Sequence, residues 1–205
     1  MSKLIVPNTE ISYGRRGFFR SAGAATLSAT AVALIAGCES MAQGNKSMAQ
    51  GMMADPASDV KILNVALGLE HEAINAYQLG AESKLLQPAV LTTAVSFQSQ
   101  HKEHRDALVA TIRKLGGTPV NEKTRAEYVQ SLNAASLKNQ TDVLRLAARL
   151  ERGAANAYLG VIPSFGDRAL AQISGRLAAD ETMHWTVLAS ALGDMLPKQA
   201  LSFGV

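Results

Sequence analysis

The chain of 205 residues has one cysteine, few aromatic side chains and only six prolines. A single cysteine, Cys38, cannot form an internal disulfide, which excludes a disulfide-stapled fold. Because proline is scarce and alanine and leucine are abundant, the composition favours helices. Neither G-x-G-x-x-G nor C-x-x-C-H occurs, so no motif indicates a flavin, a nicotinamide cofactor or a haem.

Most of the chain also lacks an excess of either positive or negative charge. Residues 1–37 hold four basic side chains and one acidic side chain, which accounts for the whole formal net charge of +3. The remaining residues are therefore balanced in charge. Nothing in them indicates a nucleic-acid partner.

Residues 1–37 have the features of an export signal. GRRGFFR at 14–20 is followed by an apolar, alanine-rich run of 16 residues at 22–37. That run is shorter than the roughly 20 residues of a membrane-spanning helix, so a cleaved signal is favoured over an anchor. Arg15 and Arg16, followed after one residue by two phenylalanines, resemble the twin-arginine export signal.

The end of this signal suggests lipid attachment. Ile35-Ala36-Gly37-Cys38 resembles a lipobox, in which the cysteine is acylated and becomes the mature N-terminus; an ordinary signal with an incidental cysteine is the alternative. Residues 38–58 contain SMAQG twice and predict a low-complexity tether. We therefore expect the twin-arginine machinery as a partner, a lipid anchor to the membrane, and a periplasmic or envelope location.

From Asp59 onward, apolar residues recur at helical spacing. We predict a domain at 59–196, a C-terminal tail at 197–205, and four long helices at 59–84, 88–115, 140–161 and 167–194. The connection between the second and third helices is long and holds a short helix at about 122–134. This order predicts an all-α fold, an antiparallel four-helix bundle of two helix hairpins joined by one long crossover.

The two predicted hairpins repeat one pattern. LEHEAINAYQLG at 69–80 and LERGAANAYLG at 150–160 share L-E-x-x-A-x-N-A-Y at an offset of 81 residues. In the second helix of each hairpin, an offset of 80 residues aligns His104 with His184 and His101 with Glu181. The repeat indicates an internal duplication.

Glu70 and Glu151 lie on the apolar faces of their predicted helices. Positions three, four and seven residues away share a face with each glutamate. All are apolar or aromatic: Leu63, Ala66, Leu67, Ala73, Ile74 and Tyr77 for the first, and Leu144, Ala147, Ala148, Ala154, Ala155 and Tyr158 for the second. Because an unpaired buried carboxylate is costly, this symmetric pair predicts a cation in the core.

The second helices offer matching ligands. A carboxylate and an imidazole three residues apart can bind one metal ion from one helix, and two imidazoles at this spacing can do the same. The candidate metal ligands are Glu70, His101, His104, Glu151, Glu181 and His184. The fourth histidine, His71, lies on a less apolar face, and Glu72 and Glu103 are predicted at the surface.

This arrangement resembles the ferritin-like dimetal-carboxylate proteins, a family that includes bacterioferritins, rubrerythrins and manganese catalases. The family carries glutamate on the first and third helices and Glu-x-x-His on the second and fourth. The resemblance implies that Glu70, Glu151 and Glu181 are bridging or terminal carboxylates. It also implies that His104 and His184 supply one imidazole ligand to each metal.

The resemblance covers about 59–194. A tyrosine seven residues after the first glutamate recurs in the family. This implies that Tyr77, and by the repeat Tyr158, contact the metal ligands without binding the metal themselves. His101 departs from the pattern, because it stands where the family has glutamate. Three carboxylates then face two divalent ions, as in some relatives, manganese catalases among them. A pair of iron or manganese ions is the expectation, and a mononuclear or histidine-rich site for iron, manganese, zinc or copper is the alternative.

The reactions that the resemblance implies use peroxide or dioxygen: ferroxidase, peroxidase, catalase-like or substrate oxidation. Two other functions stay open. One is a non-catalytic envelope lipoprotein with a degenerate or mononuclear site, in stress tolerance or metal binding. The other is an assembly role, in which bundles pair through an outer face, for example as a homodimer. A buried salt-bridge network would retain the same residues without metal.

Overall fold

The computed structural model describes residues 56–204, in which five α-helices and no strand occur. The helices are α1 Pro56–Glu82, α2 Pro88–Lys114, α3 Arg125–Ser131, α4 Gln140–Val161 and α5 Arg168–Leu192. The hairpins α1–α2 and α4–α5 are joined by a long crossover that contains α3, so the predicted fold class is confirmed. The predicted export signal, Cys38 and most of the tether lie outside the described residues.

The four long helices begin and end close to the predicted positions. The largest difference at a helix start is in α1, which begins at Pro56 rather than at residue 59. Proline suits the first turn of a helix because an N–H there has no partner within the helix. Side chains cap three of the other helices, where Thr124, Asn139 and Asp167 accept backbone N–H groups at the starts of α3, α4 and α5.

The crossover leaves α2 through two positions that require glycine. Gly116 has a φ of +78°, in the left-handed region that only glycine adopts without strain. A β-carbon at Gly117 would lie 2.5 Å from the side chain of Val60, so only glycine lets the crossover start against α1. The side chain of Asn64 then accepts a hydrogen bond from the backbone N–H of Val120. These contacts hold the crossover along α1.

Two apolar layers enclose the middle of the bundle. One layer contains Leu67, Leu108 and Tyr158, and the other contains Tyr77 and Leu188. Such layers exclude water from whatever lies between them. No helix in residues 56–204 is both long enough and apolar enough to span a membrane.

Candidate metal centre

Six polar side chains are buried between the two apolar layers. They come from all four long helices and are the six that the sequence analysis singled out: Glu70 from α1, His101 and His104 from α2, Glu151 from α4, and Glu181 and His184 from α5. The three glutamates are at most 1% exposed. Their role as metal ligands stays a prediction.

The tyrosines that follow two of the glutamates cross between α1 and α4. Tyr77 donates its hydroxyl hydrogen to Glu151, and Tyr158 donates to Glu70. Residue numbers rise along α1 as their partners' numbers fall along α4, so the two helices are antiparallel. The duplicated pattern therefore becomes a reciprocal exchange of hydrogen bonds, and each carboxylate is held by the other half of the repeat.

His101 occupies the centre of the cluster. Its Nδ1 lies 2.8 Å from Oε2 of Glu70, and its Nε2 lies 3.1 Å from Oε1 of Glu151. The ring also lies beside Glu181, whose Oε1 is 3.8 Å from Nδ1. The residue that departs from the family pattern thus contacts all three carboxylates, and it takes up the space between the two halves.

The cluster divides into two overlapping groups of four residues. We call Glu70, His101, His104 and Glu181 the His104 half-site, and His101, Glu151, Glu181 and His184 the His184 half-site. Within each group, one candidate ligand atom per residue lies within 4.8 Å of the others. Glu181 and His101 belong to both half-sites, so a metal pair bound here would share them.

Three buried atoms in the cluster make no hydrogen bond of good geometry within residues 56–204: Nδ1 of His104, Oε2 of Glu151 and Oε1 of Glu181. Their nearest charged neighbours are ion-pair contacts inside the cluster, at 3.2 Å between His104 and Glu181 and at 3.4 Å between His184 and Glu151. Buried polar atoms nearly always have a partner, so an unpartnered group of them requires an explanation. Imidazole nitrogens and carboxylate oxygens that lie within 4.8 Å of one another are suitable ligands for a first-row divalent metal. The residues therefore fit the metal pair that the fold family implies.

The outward nitrogens of two histidines contact residues that the sequence analysis missed. Nε2 of His104 lies 3.3 Å from Oδ2 of Asp180, and Nε2 of His184 contacts Oε1 of Gln100. Gln100 and Asp180 are themselves 80 residues apart, so the repeat already contained the signal that would have found them. Each lies on the helix opposite the histidine that it contacts.

Burial and the imidazoles act against each other on the glutamates. Burial by itself raises the pKa of Glu70, but hydrogen bonds from His101 and His104 outweigh it and hold the pKa at about 2. Burial likewise opposes ionisation of Glu151, yet hydrogen bonds from His101 and His184 bring its pKa far below the usual value. The pKa of Glu181 is raised, chiefly by burial.

The histidines are shifted the other way. Burial lowers the pKa of His101, but hydrogen bonds with Glu151 and Glu70 outweigh burial and raise it to about 11. Burial also lowers the pKa of His104, and hydrogen bonds with Glu181 and Glu70 raise it to about 10. Without metal, these two imidazoles are therefore protonated at neutral pH. They supply the positive charge that the buried carboxylates require.

Two different surroundings adjoin the cluster. A groove of about 520 Å³ between α2 and α5 reaches His104 and is lined in part by Gln100, Glu103 and Asp180. On the other side of the cluster, an apolar cavity of about 80 Å³ reaches Tyr77. The groove is the more polar of the two, since charged and polar side chains line part of it.

The remaining candidate side chains lie outside the cluster. Glu72 is half-buried and Glu103 is exposed. His71 was placed on a less apolar face, but it is buried, and neither of its ring nitrogens has a hydrogen-bond partner in the described part of the chain. Asn64 and Asn75, which share its face of α1, bond the crossover at Val120 and Glu122. We infer that the crossover buries His71, which local periodicity could not predict.

Comparisons with known proteins agree with this architecture. The sequence profile of the ferritin-like domain matches residues 58–194. The fold is similar to the crystal structure of a conserved hypothetical protein from Mycobacterium tuberculosis, with a TM-score of 0.57 and 21% sequence identity over 71% of this chain and 97% of that one. None of the curated proteins matches the sequence. The profile covers more than half of the chain, and the chain therefore belongs to the ferritin-like domain family.

Proposed function

We propose that this chain is an exported ferritin-like protein that binds two iron or manganese ions with its Glu/His cluster and reacts with peroxide or dioxygen. One observation carries the proposal: two groups of four buried glutamate and histidine side chains have candidate ligand atoms within 4.8 Å of one another, between apolar layers. When bound, a redox-active metal pair would supply the electron transfer that protein side chains cannot.

The side chains around the cluster have separate tasks in this proposal. Tyr77 and Tyr158 fix the orientation of two carboxylates by hydrogen bonds. Phe97 stacks on His184 with ring centroids 4.1 Å apart and shields that side from water. The groove beside His104 admits small polar molecules. Fixed ligands and restricted access are the contributions that a protein makes to metal chemistry.

Three reactions remain within the proposal. In the catalase-like reaction, two molecules of hydrogen peroxide give two of water and one of dioxygen, so no outside electron donor is needed. A peroxidase requires an external electron donor, and a ferroxidase requires ferrous iron as its substrate. The groove suits peroxide and ferrous iron alike, because it is lined in part by polar and acidic side chains.

The location is a separate part of the proposal. The twin-arginine pattern at Arg15 and Arg16, and the lipobox pattern that ends at Cys38, support export and a lipid anchor in the cell envelope. The twin-arginine machinery moves folded proteins, so metal could be inserted before export. The low-complexity segment after Cys38 would then tether the bundle to the membrane.

A second candidate function is favoured by the ion pairs of the cluster. Each of the three glutamates lies within 3.4 Å of an imidazole nitrogen. These pairs satisfy most of the buried charge without metal. On this view the chain is a non-catalytic envelope lipoprotein whose degenerate or mononuclear site serves stress tolerance or metal binding.

Metal content and peroxide consumption test the proposed function together. We expect protein exported by its own host to hold about two metal ions per chain and to consume peroxide. Glu151→Ala should lose at least one ion and the activity, whereas Glu72→Ala, a matched change on the half-buried face of α1, should keep both. A metal-free wild-type protein with an intact fold would instead establish the non-catalytic function.

Metal binding should also release protons. His101 and His104 have pKa values of about 11 and about 10 without metal, so both are protonated at pH 7, and an imidazole must lose that extra proton to bind a metal. Binding that displaces about two protons strengthens by roughly 100-fold for each pH unit. We therefore expect manganese affinity to rise between pH 6 and pH 8.

Calorimetry measures this release when the titration is repeated in buffers of different ionisation enthalpy. His101→Gln should release about one proton fewer than the wild type. An affinity that does not change with pH, together with no proton release, would show that the imidazoles are neutral before metal arrives.

A further inference from the structure

The two half-sites differ in the residue that holds each histidine from outside. In the His104 half-site, Nε2 of His104 lies 3.3 Å from a carboxylate oxygen of Asp180. In the His184 half-site, Nε2 of His184 contacts the amide oxygen of Gln100. These positions are equivalent in the repeat, so the duplication has placed a charged group on one side and a neutral group on the other.

Both outer partners leave the same nitrogen free for metal. Each is an oxygen acceptor, so the outward Nε2 carries the hydrogen that it donates, and Nδ1 is directed inward. Nδ1 of His104 lies 3.2 Å from Oε1 of Glu181, and Nδ1 of His184 lies 3.2 Å from Oε2 of the same residue. The inner geometry is thus alike in the two half-sites.

The outer contacts are not alike in strength. A carboxylate carries a full negative charge, so it polarises the imidazole more than a neutral amide does and makes Nδ1 a stronger electron donor. The inner carboxylates do not offset this difference, because each half-site has one glutamate held by a tyrosine and shares Glu181. His104 also borders the groove between α2 and α5, and Asp180 and Glu103 line part of that groove.

We propose that the half-sites bind metal unequally and in order, with the His104 half-site filling first because Asp180 positions and polarises its histidine. Gln100 keeps the His184 half-site weaker, so a form with one metal ion is a distinct species at low metal supply. This inference rests on the proposed metal centre. It assigns Asp180 and Gln100 as positioning residues that touch no metal themselves.

A stepwise titration of the full chain with cobalt(II), followed by absorbance and calorimetry, tests the order. We expect two separate binding steps in the wild type. Asp180→Asn should weaken the tighter step by about 10- to 100-fold, the usual effect of losing a residue that orients a ligand. Gln100→Glu should tighten the weaker step. The double variant Asp180→Asn/Gln100→Glu exchanges the charged and neutral partners, so it should again show two separate binding steps. Two equal steps in the wild type would overturn the inference.

Four further variants assign the steps and control for charge. His104→Gln should remove the tighter step and His184→Gln the weaker one; the reverse assignment contradicts the proposal. Asp180 is 43% exposed on its side chain and Gln100 is exposed, so changes at these positions should leave the melting temperature nearly unchanged. Asp106→Asn, on the exposed side of α2, should alter neither step. Asp180→Glu should restore most of the affinity that Asp180→Asn loses.

The possible failures are distinguishable. If the wild type binds no cobalt, manganese or iron, the proposed metal centre fails and the order of filling fails with it. If it binds two ions whose affinities Asp180→Asn changes equally, the centre stands and only the inequality is wrong.

Discussion

Replacing Glu181 by glutamine is expected to remove nearly all bound metal. Glu181 is the only carboxylate that belongs to both half-sites. Its Oε1 lies 3.2 Å from Nδ1 of His104, and its Oε2 lies 3.2 Å from Nδ1 of His184. The amide keeps the shape of the side chain but lacks its negative charge, so each ion loses a shared anionic ligand. Three carboxylates already carry less negative charge than two divalent ions require, so the loss of one weakens binding strongly.

Glu70 and Glu151 each belong to only one half-site, so their variants provide a comparison with Glu181→Gln. Glu70→Gln should empty only the His104 half-site, and Glu151→Gln only the His184 half-site, so each variant should keep about one ion per chain. Elemental analysis after dialysis, with calorimetric titration of manganese, measures the three variants beside the wild type. Glu72→Gln, on the same helix as Glu70 but outside the cluster, serves as the control. If Glu181→Gln still retained both ions, the assignment of a shared carboxylate would be wrong.

Replacing His101 by glutamate is expected to make folding depend on metal. In the absence of metal, His101 is the cation between Glu70 and Glu151, at 2.8 Å and 3.1 Å from their oxygens. A glutamate there would place a fourth carboxylate in a buried cluster and remove the charge that balances the others. Breaking a buried ion pair costs about 3–5 kcal/mol, which lowers the melting temperature of a domain of this size by roughly 10 °C.

Metal should reverse that loss. A fourth carboxylate balances the charge of two divalent ions and restores the usual ligand set that the family resemblance implies. An ion present at 100 times its dissociation constant stabilises the folded state by about 2.7 kcal/mol for each site. We therefore expect His101→Glu to melt far below the wild type in a chelator and to recover with manganese or iron, with occupancy close to two ions per chain.

Thermal melts of wild type, His101→Glu and His101→Gln, each with chelator and with metal, separate the effects of charge and shape. His101→Gln should lie between the others in chelator, because it removes the cation without adding an anion. Equal melting temperatures for all three proteins in chelator would mean that His101 carries no charge in the cluster. A metal content in His101→Glu below that of the wild type would show that a glutamate at this position does not serve as a ligand.

Local pattern was sufficient for the fold and for the burial of the candidate ligands. The faces of Glu70 and Glu151 follow from the 3.6-residue period of a helix, which depends only on neighbours along the chain. Proline at 88 and the glycines at 116–117 marked the ends of α2, because each acts on its own backbone. The repeat added the equivalence of the two hairpins.

Contacts between helices followed from none of these signals. The exchange in which Tyr77 holds Glu151 and Tyr158 holds Glu70 joins residues 74 and 88 positions apart. The outer contact between His104 and Asp180 spans 76 positions. Periodicity shows which face a side chain occupies, but the axial register of one helix against another depends on packing throughout the core.

The sequence alone determined that this chain forms a four-helix bundle with glutamates and histidines facing its interior, because helix periodicity depends on neighbours along the chain and the internal repeat can be read directly from the residues. Only the tertiary structure decided that His101 lies between the two halves, that His71 is buried, and that an aspartate supports one histidine where an amide supports the other. These are distances between side chains on different helices, and close packing of all four helices sets them together.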